Sequence, residues 1–170
     1  DMDAYREQLK SFVYRTGVRM RSVFDAARHG KPTRIVYPDG EDERVLRAVQ
    51  IVCEEKLCRP IVVGRPDVIA TRLGKIGARL RIGEDIEVVD PDNDERYGEC
   101  WRAYHQLMRR RGVTVDIART RLRKHNTLIG AMMMRQGYAE GMICGVSGRF
   151  AHHLQQVLVR GKLGAPLVEF

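Results

Sequence analysis

The stretch from Asn126 to Arg149, NTLIGAMMMRQGYAEGMICGVSGR, decides the fold that we expect for this chain. Asn126 can cap a helix whose apolar residues recur at helical spacing, and Gly137 can end that helix in a left-handed conformation. The apolar run at 141–144 then predicts a short buried strand, which opens into a glycine-containing loop at 145–149. Because parallel α/β proteins bind ligands in loops that follow strands, this loop is the first candidate for a functional site.

The residues before this stretch alternate short apolar strands with amphipathic helices. Strands are predicted near residues 35, 62 and 87, with helices at 41–55 and 66–76 between them. Two further helices, at 95–111 and 114–124, follow each other without a strand and should pack as a helical hairpin on one side of the sheet. The first of them is expected to bury Tyr97, Trp101, Tyr104, Leu107 and Met108, and Thr114 is expected to cap the second. One more helix is predicted at 150–159.

Two amphipathic helices are predicted ahead of the first strand, at 3–13 and 18–28. They precede the repeating unit of strand and helix, so we expect them to pack on a partner subunit or on an upstream domain. Only four strands are expected in the whole chain, which suggests a fragment of a longer protein.

Composition favours one domain, because 170 residues of which 44% are hydrophobic can bury one ordinary core. No apolar run approaches the roughly 20 residues that a membrane span needs, and the N-terminal residues are polar, so a cytoplasmic location is expected. The four cysteines form no CxxC pair and are typical of reduced core thiols. The adjacent residues His152 and His153 point in different directions on a helix, so no metal site is predicted.

The net charge of +8 permits an anionic partner, since 24 of the 30 basic residues are arginine. The arginines are dispersed beside acids, which favours a small anion over nucleic acid and a solvated surface over both. Arg109–Arg111 could hold an anion, but basic residues at a helix end also satisfy its carbonyl groups, and we favour that explanation. Acids at 41–43 occupy the helix N-terminus where a phosphate would bind, so a phosphate is disfavoured there.

Three segments carry a family resemblance: YPDGEDERVLRAVQ (37–50), YHQLMRRRGVT (104–114) and NTLIGAMMMRQGYAEGMICG (126–145). They resemble the phosphotransacetylase-like domain fused to the C-terminal end of large bacterial NADP-dependent malic enzymes, within the phosphate acetyl/butyryltransferase family. The opening segment, 1–17, resembles the link between the two parts of those enzymes.

The resemblance implies an α/β fold, a three-layer parallel-sheet sandwich of the phosphotransacetylase or isocitrate dehydrogenase-like type. The chain would hold its N-terminal part, preceded by two amphipathic helices. We therefore expect linker helices at 1–31, the phosphotransacetylase-like domain at 32–160, and a loop or truncated end at 161–170.

The resemblance also suggests where a ligand would bind. In similar domains the loop with Asp39, Gly40 and Glu41 borders a cleft, although helix capping alone would explain these residues. In the later loop we expect ligand-binding groups at Gly145, Ser147, Gly148 and Arg149, and Ser147 with its neighbouring amides can donate to an anion. Plain turn geometry is the simpler explanation of that loop.

Two positions that carry arginine in active phosphotransacetylases are occupied here by Met108 and Gln155, according to the same resemblance. Acyl-phosphate chemistry needs cationic donors at the reacting phosphate, and losing one charged donor commonly costs about 3 kcal/mol. No other catalytic set is evident, since the chain has no Walker, GxGxxG, GxSxG or HExxH motif.

The resemblance thus implies a non-catalytic allosteric and oligomerisation domain that senses acetyl-CoA. Its partners would be an upstream malic-enzyme domain, holding NADP and Mg²⁺ or Mn²⁺, and further copies of the chain. The alternatives are a phosphate acetyltransferase or butyryltransferase, and a structural dimerisation module.

Overall fold

The computed structural model describes residues 17–158, which contain four strands and seven α-helices. The predicted helix at 3–13 and the predicted loop at 161–170 lie outside the described residues. The strands are β1 (Arg34–Tyr37), β2 (Arg59–Val63), β3 (Glu87–Val89) and β4 (Gly141–Met142). The helices are α1 (Gly17–His29), α2 (Glu43–Glu54), α3 (Pro66–Ile76), α4 (Glu95–Met108), α5 (Val115–Lys124), α6 (Asn126–Gln136) and α7 (Phe150–Leu158).

All four strands are parallel and lie in the order β3-β2-β1-β4. The chain moves outward from β1 to β2 and β3, and then returns through three helices to pair β4 with the other side of β1. The direction of winding therefore reverses between β1 and β4. In open α/β sheets this switch point leaves a crevice at the carboxyl ends of the two strands.

The two faces of the sheet bury separate cores, because side chains alternate along each strand. One face packs against α4, α5 and α6, with strand residues Val36, Ile61, Val63 and Val89 at its centre. The other face packs Tyr37 and Val62 against α2 and α3. The result is the expected three-layer sandwich, and α4 and α5 form the expected helical pair on one side.

Local sequence patterns predicted several helix ends correctly. Pro66 starts α3, whose C-cap Gly77 is left-handed. Thr114 caps α5 by accepting a hydrogen bond from the Ile117 N–H at 3.3 Å. Gly137 ends α6 with φ 80°.

Two local predictions are wrong, and a third is confirmed in part. Asn126 is the first residue of α6 and does not cap it, because α5 and α6 meet at His125, whose carbonyl already accepts from Leu128 and Ile129. Helix α4 ends at Met108, and Arg109–Arg111 form a 3₁₀ turn. On α4, Tyr104 is fully buried as expected, and the other predicted residues are partly buried against the same core: Tyr97, Trp101, Leu107 and Met108. Cys100 is also fully buried, which was not expected, and the Arg119 guanidinium covers Trp101 at 4.3 Å from the ring centroid.

Strand β4 is shorter and more exposed than predicted. It covers only Gly141 and Met142, and the Ile143 side chain is 59% exposed. Within residues 17–158 the strand pairs only with β1, so no described strand is hydrogen-bonded to its other edge. An apolar run alone does not distinguish a central strand from a strand at the edge of a sheet.

The start of β1 and the start of β4 are joined by an ion pair between Arg34 and Glu140. The Arg34 Nη2 atom lies 2.7 Å from Glu140 Oε1, and the Arg34 N–H donates to Oε2 at 2.7 Å. Another N–H of the same guanidinium donates to the Gly137 carbonyl at 2.9 Å. One side chain thus holds the end of α6 against the sheet.

We expect the stabilisation from Glu140 to disappear in acid. The hydrogen bond from Arg34 lowers the pKa of Glu140 to about 2, whereas glutamate in an unfolded chain has a pKa of about 4.3. Because the folded-state pKa is the lower one, stabilisation is complete above the unfolded-state pKa and is lost as the pH falls toward 2. Denaturant unfolding should show that Glu140→Gln lowers the free energy of unfolding near neutral pH and changes it progressively less in acid. If Glu140→Gln changes the free energy of unfolding by the same amount at every pH, the assignment of this stabilisation to the ionised Glu140 carboxylate is wrong.

In the described part of the chain, no helix is both long enough and apolar enough to cross a lipid bilayer.

Candidate functional site

Two loops meet where the winding of the sheet reverses: 38–42 after β1 and 143–149 after β4. We call the space between them the switch-point crevice. The Asp39 carboxylate crosses it, and its Oδ2 atom accepts hydrogen bonds from the N–H groups of Gly145 at 3.1 Å and Val146 at 3.2 Å. Gly145 has φ 101°, a conformation in which successive amides can turn toward one anion. The amides form an anion site, and the protein's own carboxylate occupies it.

Close packing beneath this crevice leaves room only for glycine at position 40. A Cβ atom there would lie 2.1 Å from Val62 Cγ1 and 2.6 Å from the Val63 carbonyl oxygen. Glu41 turns away from the crevice, and its carboxylate accepts from the Arg65 N–H and guanidinium at 2.9–3.1 Å. Hydrogen bonds from Arg65 lower the pKa of Glu41. Of the three residues predicted to line a cleft, Asp39 therefore contacts the later loop directly, while Glu41 pairs with the start of α3.

Arg44 is a cation at the edge of the crevice that sequence patterns did not single out. Its guanidinium donates to Asp42 at 2.8 Å, and more weakly to the Val146 carbonyl at 3.3 Å and the Ser147 hydroxyl at 3.4 Å. Asp42 also caps α2 through the Arg44 N–H at 2.8 Å. The position of Asp42 before an amphipathic helix indicates the cap, but contacts to a loop 102 residues away have no local pattern.

The second loop is tied to α6 and α7 through His153. Its Nε2–H donates to the Ser147 carbonyl at 2.7 Å, so in the neutral ring Nδ1 accepts from the Thr127 hydroxyl at 2.8 Å. Thr127 is the only polar residue that is buried in the described part of the chain, at 3% exposure. A threonine among the apolar residues of α6 could have indicated this contact. Ser147, one of the predicted site residues, is thus held by two contacts. Its carbonyl accepts from His153, and its hydroxyl accepts from Arg44.

Gly148 and Arg149 complete the turn into α7. Gly148 has φ 105°, and the Arg149 carbonyl accepts from the N–H groups of His152 and His153. The Arg149 side chain is exposed and has no hydrogen bond or ion pair to any other residue within 17–158. Arg149 therefore does not place its positive charge at the amide site that the Asp39 carboxylate occupies.

The thiol nearest the crevice is not activated for nucleophilic chemistry. Burial, followed by the negative charge of Asp39, raises the pKa of Cys144. The thiolate is the reactive form of cysteine, so this environment suppresses it.

Met108 and Gln155 are not brought together by the described residues. The neighbours of Met108 line a groove with Arg135 and Gln136 at the end of α6. Gln155 lies exposed on α7, which is tied to the start of α6 through the contact between His153 and Thr127. Since α6 has 11 residues, its two ends are about 16 Å apart.

Comparison with known proteins agrees with this architecture. The sequence model described as phosphate acetyl/butaryl transferase matches residues 18–164. The chain belongs to this family. Its fold is also that of solved phosphotransacetylases: the EutD phosphotransacetylase from Staphylococcus aureus matches with a TM-score of 0.73 and 25% identity. The match covers 89% of this chain and 44% of that structure.

The similar curated proteins include malic enzymes. The NAD-dependent malic enzyme of Rhizobium meliloti (strain 1021) is 45% identical over 157 residues, which are 92% of this chain and 20% of the enzyme. The NADP-dependent malic enzyme of Escherichia coli (strain K12) is 42% identical over 157 residues, which are 92% of this chain and 21% of the enzyme. The chain thus spans about one fifth of the length of these relatives. The resemblance to a phosphotransacetylase-like domain of malic enzymes is confirmed.

Proposed function

We propose that this chain is a non-catalytic regulatory and oligomerisation domain of a malic enzyme, and that it senses acetyl-CoA. The oxidative decarboxylation of malate would take place in another part of the same protein, which would hold NAD or NADP and a divalent metal. The similarity to malic enzymes over 92% of the chain supports this parentage.

One observation supports the proposal that the domain is non-catalytic: the Asp39 carboxylate occupies the switch-point crevice. A transferred phosphoryl or carbonyl oxygen needs donors that are free to stabilise developing negative charge. Here two adjacent amides already bind a carboxylate, and Arg44, the guanidinium at the edge of the crevice, is paired with Asp42. A phosphate entering the crevice would meet a negative charge where it needs positive charge.

Acetyl-CoA can inhibit only if it binds one arrangement of the whole enzyme more tightly than another. Helix α1 is the natural element of transmission, because it leads into β1 from residues that precede the sheet. Its Arg28 guanidinium donates to the Glu55 carbonyl at 3.1 Å and forms an ion pair with the Glu55 carboxylate, at the end of α2. A movement of the sheet domain would therefore reach α1 through a defined contact.

The full-length protein should show almost no transfer between acetyl phosphate and CoA. A coupled assay that follows acetyl-CoA formation measures this directly, with a phosphate acetyltransferase of the same family as the positive control. We expect rates at the background level, because the two amides of the switch-point crevice already bind the Asp39 carboxylate. Turnover at ordinary enzyme rates, on the order of 10 per second, would contradict the proposal.

A phosphate acetyltransferase or butyryltransferase is the second candidate, and family membership favours it. The same assay distinguishes the two. A purely structural dimerisation module would give no heat in a calorimetric titration with acetyl-CoA, whereas a sensor would.

A further inference from the structure

Three arginines line one surface groove between α4 and the end of α6, far from the switch-point crevice. Arg102 comes from the middle of α4, Arg109 from the turn that follows it, and Arg135 from the last turn of α6. Leu107 and Gln106 line the same groove. We call it the α4–α6 groove.

These arginines are marked by meeting in one groove, since other described arginines such as Arg47 and Arg72 also form no ion pair, and Arg102 lies over the Trp101 ring, 5.4 Å from its centroid. Within residues 17–158, none of the three guanidinium groups forms an ion pair with a carboxylate. Arginines that do so are Arg28, Arg34, Arg44, Arg65, Arg81, Arg96 and Arg123. Glu99 is the one acidic residue lining the groove, and its carboxylate accepts from the Tyr138 hydroxyl. Three arginines against one glutamate give the lining a net charge of +2.

Helix-end effects do not account for the whole of this cluster. Two of the last carbonyls of α6 are satisfied by main-chain N–H groups, since Gly137 donates to Met134 at 3.2 Å and Tyr138 to Met133 at 3.0 Å. Neither Arg109 nor Arg135 donates a side-chain hydrogen bond to any described residue. Arg102 lies about two turns before the end of α4, beyond the range of the helix dipole.

We infer that the α4–α6 groove binds a nucleotide that carries at least two phosphate groups. Guanidinium groups bind phosphates through paired N–H donors, and three of them around one groove match separated phosphates better than a single anion. Leu107 offers an apolar surface for a base or an alkyl chain, and Gln106 offers an amide for polar ring atoms. Acyl-coenzyme A and nucleoside triphosphates share this chemistry.

The groove also lies next to the edge of the sheet where α1 enters. Gly137, just beyond Arg135, accepts from the Arg34 guanidinium at the start of β1. A ligand that draws Arg135 toward it would therefore act on the contact that holds α6 to β1. This regulatory role rests on the proposed function, whereas binding of the nucleotide does not.

Calorimetric titration of the full-length protein tests the site with three probes: acetyl-CoA, the adenosine bisphosphate portion of coenzyme A, and ATP. Arg102→Gln and Arg135→Gln each remove one charge, and each should weaken binding about tenfold or more. Arg47→Gln is the matched control. It removes an exposed charge from α2, on the other face of the sheet, and should change the affinity less than about twofold.

Each outcome of this experiment has a distinct meaning. Binding of acetyl-CoA and its nucleotide portion, weakened by the two groove variants alone, supports both the site and acetyl-CoA as the effector. Binding of ATP alone with the same dependence supports the site but removes acetyl-CoA from the proposed function. Affinities that are equal in all variants, or no binding of any probe, would overturn the inference. Thermal unfolding of each variant checks that the fold is intact.

Discussion

Alanine at Gly40 is expected to lower the free energy of unfolding by about 3 kcal/mol or more. The new Cβ would lie 2.1 Å from Val62 Cγ1, 2.6 Å from the Val63 carbonyl oxygen and 3.1 Å from the Val63 nitrogen. Val62 and Val63 are fully buried, and β2 is hydrogen-bonded to β1 on one side and β3 on the other. Because the backbone of a central strand has no room to move, the loop after β1 must be displaced.

Gly74→Ala is the matched control for this prediction. Gly74 lies inside α3, and a Cβ atom there would have no heavy atom within 4 Å. Alanine is a better helix former than glycine, so this variant should gain roughly 0.5–1 kcal/mol. Urea unfolding of both variants measures the contrast. If Gly40→Ala unfolds within about 1 kcal/mol of the natural chain, the close approach of this loop to β2 is not present in solution.

The elements of this fold could be predicted because their causes are local. Buried apolar runs identified the strands, and α3 was predicted with its observed bounds, since Pro66 marks its first turn. The burial of α4 was harder to predict. Apolar spacing correctly selected Tyr104 but missed Cys100, which is fully buried, and Trp101 is only partly buried beneath Arg119. Several apolar stripes fit one helix, and tertiary packing selects among them.

The candidate site was only partly predictable for a different reason. The loops with Asp39 and Gly145 were both expected to border a ligand site. No local sequence pattern shows that the Asp39 carboxylate binds to the amides of the Gly145 loop. Their contact joins residues 106 positions apart and exists only because β4 pairs with β1. Strand order is a long-range property, so periodicity does not reveal it. The α4–α6 groove escaped prediction similarly, since its arginines come from separate helices.

Replacing Asp39 with alanine is expected to convert the switch-point crevice into a phosphate site. The substitution frees the N–H groups of Gly145 and Val146 and removes the negative charge that would repel a phosphate. Arg44 is close enough to contribute, since it already reaches the Ser147 hydroxyl. A hydrogen bond to a charged group contributes about 1.5–3 kcal/mol, so the affinity for inorganic phosphate should rise at least about tenfold. Phosphorus NMR titration measures the change.

Two further variants separate the causes of this gain. Asp39→Asn removes the charge but keeps an oxygen that can accept from both amides, so it should bind phosphate much less well than Asp39→Ala. Asp116→Asn removes an exposed charge from the first turn of α5 and controls for net charge. If Asp39→Ala binds phosphate no better than Asp116→Asn, the two amides are not an anion site, and the occupied crevice no longer explains a lack of transfer activity. If phosphate binds but acetyl transfer stays at background, anion binding alone is insufficient, because transfer also needs cationic donors at the reacting phosphate.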